Sequence, residues 1–184
     1  MGALEAASDG LLAARSADGD SVAFGVLVRR LAPALRAYAT RLTGSAADAD
    51  DADDAVQEAL ISAWGALPGL EDPAKVRSWL FSIVSRKATD RIRARKPTAE
   101  LDAERDEDTA EGPEEHAVSS SRLDALAAVL DALPEGQRQC WVLKEMGGFS
   151  YEEIAEQLDM SVTTVRGKLA RARVSVVREM EAWR

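Results

Sequence analysis

The sequence has one cysteine, one histidine, 5% aromatic residues and no long apolar run among its 184 residues. Each shortage excludes a class of protein. Cys140 alone cannot form an internal disulfide or a cysteine-rich zinc site, and its neighbours Trp141, Val142 and Leu143 place it in a core as a small hydrophobe. The lone histidine, His116, lies in an acidic stretch, so Ser-His or Cys-His catalysis and a His-rich metal site lack the residues they need. We expect no catalytic residue, no metal and no cofactor. No apolar run approaches the roughly 18 residues of a membrane span. The N-terminus MGALEAASDGLLAAR places acids before its short apolar stretch and carries no basic leader. The expected location is the cytoplasm.

What is abundant is alanine, leucine and arginine without strict alternation, which predicts an all-α chain. The formal charge of -9 argues against indiscriminate coating of nucleic acid. The acids are unevenly placed: residues 1–96 carry 13 basic and 13 acidic groups, residues 97–121 carry one and nine, and residues 122–184 carry nine and ten. The middle segment, PTAELDAERDEDTAEGPEEHAVSSS, has two prolines and no sustained apolar period. That is the composition of a flexible acidic linker. It predicts two small helical domains, 1–96 and 122–184, joined by a tether spanning about 25 to 30 Å as a random coil.

In the first domain, Leu11 and Leu12 begin a short helix that Asp18-Gly19-Asp20 should stop. A longer helical region from Ser21 carries Phe24, Leu27, Val28 and Leu31, is bent or divided at Pro33, and continues through Leu35, Tyr38 and Leu42 to Gly44. ADADDADDAVQEALISAW follows, with Val56, Ala59, Leu60, Ala63 and Trp64 on one face. Asp53, Asp54, Gln57 and Glu58 are displayed near its start, where acids suit the helix dipole. By itself that cluster reads as a well-charged first turn. GALPGLEDP has the glycine and proline density of a loop, and Asp72-Pro73 has the cap-then-proline order of a helix start. In KVRSWLFSIVSRKATDRIRARK, Leu80, Ile83, Val84, Ala88 and Ile92 form the inner stripe, while Arg86 to Lys96 supplies six cations against Asp90. Trp79 stands where loop meets basic helix, as a core residue or as a platform for unstacked bases.

In the second domain, Leu123, Leu126, Ala127 and Leu130 form a helix ended by Leu133-Pro134, and another helix runs to Gly147-Gly148. Then comes SYEEIAEQLDMSVTTVRGKLARAR. Ser150 and Glu153 make the S-x-x-E box in which each side chain satisfies a backbone donor at a helix start. Tyr151, Ile154, Ala155 and Leu158 give the helix one apolar face, and Asp159, Met160 and Ser161 form a turn and cap. Val162, Val165, Leu169, Ala172 and Val176 are the inner stripe of a second helix. Its opposite face centres on Thr163, Thr164, Gly167 and Arg171, flanked by Arg166, Lys168 and Arg173. From Ser161 to Arg178 there are five basic residues and no acid. Helix, tight turn and basic helix are the parts of a helix-turn-helix whose second helix enters the major groove. Periodicity alone leaves open a two-helix corner with a solvated basic side. Gly167 costs that helix about 1 kcal/mol relative to Ala, a cost that close approach to DNA, or simple tolerance, would explain.

These motifs, in this order, resemble the extracytoplasmic-function (ECF) sigma factors of the bacterial sigma-70 family over nearly the full length. DADDAVQEALISAW looks like that family's polymerase-docking helix, WLFSIVSRKATDRIRARK like its helix at the melted promoter, and SYEEIAEQLDMSVTTVRGKLARAR like its upstream DNA reader. The resemblance implies a non-enzymatic subunit that directs core RNA polymerase to promoters and helps melt them. Carried over by position, Asp53, Asp54, Gln57 and Glu58 would face the polymerase. The loop from Leu67 to Arg77 with Lys75, Arg77 and Trp79 would capture a flipped base, and Arg86, Lys87, Arg91, Arg93 and Arg95 would lie along the adjacent strand. Ser161, Thr163, Thr164, Arg166, Gly167, Lys168 and Arg171 would contact the duplex at the minus-thirty-five element, with Arg173 on phosphate. The linker would resemble the sigma segment threaded through the polymerase channels. The resemblance also implies an anti-sigma factor, since the chain ends at Arg184 without an added sensor domain. Arg86 stands where such proteins often carry Asn, and Thr163 and Gly167 where they often carry Gly and Ser, so the promoter sequence does not transfer. The competing expectation is a stand-alone helix-turn-helix regulator on a palindromic operator, which leaves the second basic helix and the acidic face unexplained.

Overall fold

The computed structural model describes residues 2–44, 49–95 and 122–181; the acidic linker expected at 97–121 lies outside them. Among the described residues every regular element is helical, and no helix is long and apolar enough to cross a membrane. The chain divides into two compact units, residues 1–91 and 92–184.

The first unit opens with α1 (Gly2–Glu5) and α2 (Asp9–Ala17). Ser8 caps α2 by accepting from Leu11 N–H, and Gly19, at φ +90°, turns the chain out of it. Asp20 then caps α3 (Ser21–Thr43), its carboxylate accepting from Val22 and Ala23 N–H, both at 3.0 Å. The bond from Ala23 does most to hold that carboxyl below its ordinary range, with Arg15 adding to it. Of the expected bend or division at Pro33, the division does not occur: α3 runs on through it. An interior proline costs about 3 kcal/mol, but Leu27, Leu31, Leu35 and Leu42 are all buried on this one helix. Each such burial contributes about 1.5 to 3 kcal/mol, so packing on both sides of the proline outweighs the missing bond.

Helix α4 (Ala49–Ala66) packs on α3, and its buried residues are Ala52, Ala55, Val56, Ala59 and Ala63. Trp64, expected on that inner face, is 38% exposed and tilts against Phe24 with ring centroids 4.9 Å apart. Two 3-10 turns, Leu67–Gly69 and Pro73–Lys75, lead into α5 (Val76–Arg95). Asp72 caps the second turn by accepting from Ala74 N–H at 3.0 Å. Val76, Leu80, Val84, Ala88 and Ile92 of α5 are buried. Tyr38 meets Phe81 edge-on at 5.1 Å, and burial pushes its phenol up to about 12, with Ser85 partly offsetting this.

The second unit comprises α6 (Arg122–Ala132), α7 (Glu135–Trp141), α8 (Tyr151–Leu158) and α9 (Val162–Glu181), with α9 packing on the other three. Leu130, Leu133 and Ala172 form a core cluster to which Leu126, Trp141 and Val176 add. The expected plain helix up to Gly147 is instead α7 continued by a π-helical turn, Val142–Met146, closed by Gly147 N–H donating to Val142 O at 3.1 Å. A Cβ on Gly147 would lie 2.6 Å from the Phe149 ring and 2.8 Å from Leu143 O, so only glycine fits this close crossing. Gly148, at φ +74°, completes the turn.

Cys140 is fully buried, as its neighbours predict, and desolvation pushes its thiol from the ordinary 9.0 to about 11. Because the folded state holds this proton more tightly, the thiol's stabilising share is complete below pH 9 and is lost as pH rises through 11. At pH 8.5 iodoacetamide should modify Cys140 slowly in the native protein and rapidly in guanidinium, as read by mass spectrometry. Equal rates would place the thiol at the surface.

Candidate nucleic-acid interface

The helix-turn-helix is assembled from local hydrogen bonds. Ser150 N–H donates to Glu153 Oε2 at 2.7 Å and Glu153 N–H to Ser150 Oγ at 3.1 Å, which completes the expected capping box and starts α8. Ile154 and Ala155 bury the inner face of α8. The chain reverses at Asp159, whose φ of 53° is left-handed, a conformation that a short polar side chain tolerates. Ser161 then caps α9: Thr164 N–H donates to its Oγ at 3.1 Å, and the two hydroxyl oxygens lie 2.8 Å apart.

Burial of Val165, Leu169 and Ala172 fixes the rotation of α9 and turns Thr163, Thr164, Arg166, Arg171 and Arg173 outward. Their environments differ. The Arg166 guanidinium sits 5.4 Å from the centre of the Tyr151 ring, and Lys144 Nζ lies 4.9 Å from the same ring. Arg173 donates from Nε and Nη2 to Glu145 Oε1 at 3.0 and 2.7 Å, and that carboxylate raises its pKa above the ordinary value. Lys168 leans inward over α7, where a Cβ on Gly136 would meet its Nζ at 3.1 Å. Gly167 sits in open space, its added Cβ meeting only Arg171 Nη1 at 3.9 Å. Glu145, Lys144 and the ring face of Tyr151 escaped the sequence reading. Glu145 and Lys144 are placed by the π turn, which leaves no signature in spacing, and the apolar spacing of Tyr151 does not show that its ring face meets cations.

In the first unit, Asp53, Asp54, Gln57 and Glu58 are exposed along α4. Asp53 pairs with Arg36 of α3 at 2.9 Å. Arg91 of α5 bonds Asp51 at 3.0 Å, Asp54 at 3.2 Å and Glu58 at 2.6 Å, and Lys87 lies 3.9 Å from Glu58. The cation set expected along α5 is therefore split: Lys87 and Arg91 lie toward the α4 acids, while Arg86 and Arg93 are exposed and Arg95 is described by its backbone alone. Trp79 is half-buried and, with Gly69, Leu70, Glu71, Asp72 and Lys75, lines an open depression of about 320 Å³. Arg77 lies over Phe81, 5.9 Å from its centre.

A capped basic helix-turn-helix, and a separate helical unit presenting an acidic face and an open Trp-lined loop, define a two-domain DNA-binding transcription factor. Residues 27–98 match the Sigma-70 region 2 family and residues 123–176 match the Sigma-70 region 4 family. The chain is 35% identical to the RNA polymerase sigma factor CnrH of Cupriavidus metallidurans, with 95% of both chains covered. It is 32% identical to the ECF RNA polymerase sigma-E factor of Escherichia coli K12, with 94% of both covered. The solved structure of CnrH in complex with the cytosolic domain of CnrY aligns at a TM-score of 0.53 and 31% identity over 95% of this chain and 97% of that one. RpoE from Bartonella quintana, solved in complex with the anti-sigma factor NepR, shares the fold at a TM-score of 0.52 and 24% identity, covering 85% and 96%. The chain belongs to the sigma-70 family, in its extracytoplasmic-function group. The Sigma-70 region 2 match removes the stand-alone regulator reading.

Two glycines in the second unit predict opposite responses to one substitution. Gly147→Ala should destabilise it by about 1 to 3 kcal/mol through overpacking, whereas Gly167→Ala should stabilise it by about 1 kcal/mol. Thermal denaturation followed by circular dichroism reads both, and shifts of the same sign would refute the assigned environments.

Proposed function

We propose that residues 1–96 dock core RNA polymerase and help melt the promoter, that residues 122–184 read the minus-thirty-five element, and that 97–121 tether the two. The observation that carries the reading is the outer face of α9, acid-free from Ser161 to Arg178 and set by the burial of Val165, Leu169 and Ala172. Thr163, Thr164, Gly167 and Arg171 face the major groove, with Arg166 on a flanking phosphate. Arg173 reaches phosphate by exchanging Glu145 for it. Asp53, Asp54, Gln57 and Glu58 meet a basic surface of the polymerase. Trp79 and the loop from Leu67 to Arg77 hold an unstacked base, and Arg86, Arg93 and Arg95 follow the adjacent strand. The protein works by binding, without catalytic chemistry of its own, in the cytoplasm. A relative, CnrH, is solved with the cytosolic domain of CnrY, which supports a protein partner for this chain too, and an anti-sigma factor is the partner proposed.

Arg171→Ala should weaken upstream promoter protection by about 1 to 3 kcal/mol, the usual worth of a base-edge contact. Lys168→Ala should cost clearly less, because its ammonium leans over Gly136 rather than outward. Footprinting of the two reconstituted holoenzymes decides it, and equal losses would put Lys168 in the groove.

Alanine substitutions at Leu70, Lys75 and Trp79 should cripple run-off transcription from duplex promoter while leaving core binding intact. Activity should largely return on a template with a pre-opened bubble, since base capture offsets a strand-separation cost of about a few kcal/mol per flipped base. Equal loss on both templates would assign the loop to folding or docking instead.

A further inference from the structure

Arg91 lies on the basic helix α5, yet its guanidinium is spent on α4. Asp51, Asp54 and Glu58 stand three and seven residues along one helical face, and all three carboxylates converge on this one fork. The side chain of Arg91 is only 25% exposed, whereas those of Asp54 and Glu58 are 56% and 47% exposed. The cation therefore lies beneath the acids. A DNA phosphate approaching Arg91 would meet those carboxylates first and be repelled, while a cationic protein surface would meet them favourably. Each carboxylate keeps acceptor positions beyond the one Arg91 uses.

We propose that Arg91 is a positioning residue of the acidic α4 face, holding Asp54 and Glu58 in the geometry that a basic partner surface engages, and is not a contact to DNA. The proposal rests on the reading of that face as the polymerase-docking surface. Without the guanidinium, three like charges share one stripe of α4 and their side chains splay apart. Binding then carries the ordering cost that the free protein now meets in advance. The planar fork matters as well as the charge, because a lysine's three donors share one nitrogen, whereas the guanidinium reaches Asp51 and Asp54 from Nη1 and Glu58 from Nη2.

The test is a double-mutant cycle on the full chain, titrating core RNA polymerase with fluorescently labelled wild type, Arg91→Ala, Arg91→Lys, Asp54→Ala and Arg91→Ala with Asp54→Ala. Arg91→Ala should weaken core binding on the order of tenfold, and adding it to Asp54→Ala should cost clearly less than tenfold, because only Glu58 is then left to misplace and coupled residues are not additive. Arg91→Lys should also weaken binding, and it carries the test if Arg91→Ala lowers thermal stability. Once assembled, holoenzymes with wild-type Arg91 or Arg91→Lys should bind forked promoter DNA with the same absolute affinity and salt dependence. Arg91→Ala holoenzyme should keep the same slope of log affinity against log salt, where loss of a single-strand phosphate contact would shrink it by about 0.7. Normal core binding by Arg91→Ala, strict additivity, or that smaller slope would overturn the proposal. Normal core binding by Asp54→Ala would instead overturn the docking reading on which it rests.

Discussion

The second unit depends on a single constraint: α9 has to be its packing spine and carry its exposed basic face at once. Val165, Leu169 and Ala172 are buried, and a straight helix with 3.6 residues per turn then has no freedom left in which residues face outward. That is why Thr163, Thr164 and Arg171 share the exposed side. Buried apolar area sets the orientation, and the polar face follows from it. The capping box at Ser150, the left-handed Asp159 and the Ser161 cap hold the angle at which α8 delivers the chain to α9.

Charge is handled differently on the two units. On α9 the cations are held by neighbours that leave them outward: a ring face under Arg166 and one carboxylate on Arg173. Exposed ion pairs of this kind are each worth little, about 0 to 1 kcal/mol, so a phosphate can replace Glu145 at small cost. On α4 and α5 one partly buried arginine serves three acids at once. A fork shared among three carboxylates is harder to exchange, since all three have to be replaced at once. The first arrangement suits a surface that opens to a polyanion, and the second a surface built to stay as it is.

Local signals were legible where their cause is local. The S-x-x-E box, the Asp72 and Ser161 caps and the stop at Asp18-Gly19-Asp20 all appear where the residues place them, because each involves partners within a few residues. The buried stripes of α5 and α9 follow periodicity for the same reason. What spacing left open or misplaced was tertiary. Between a bend and a division at Pro33, the buried leucines on both sides go with one continuous helix, and Trp64, on the inner face by spacing, is 38% exposed against Phe24. The π turn at Val142–Met146 arises where Gly147 permits a crossing that no other residue fits.

The sequence by itself determined the all-α class, the separation of charge along the chain and the faces that helices turn to solvent, since these depend on composition and on periods of three and four residues. Only the tertiary structure decided which charge meets which. Arg91 and Glu58 are 33 residues apart, and Arg173 and Glu145 are 28 apart. A period says which way a side chain points but not what stands opposite it. Two arginines that sequence placed on nucleic acid therefore meet carboxylates in the folded chain, and one lysine lies over a glycine of a neighbouring helix. The physical reason is that helix packing is fixed by the apolar stripes, and the charged side chains take whichever partners that packing brings within reach.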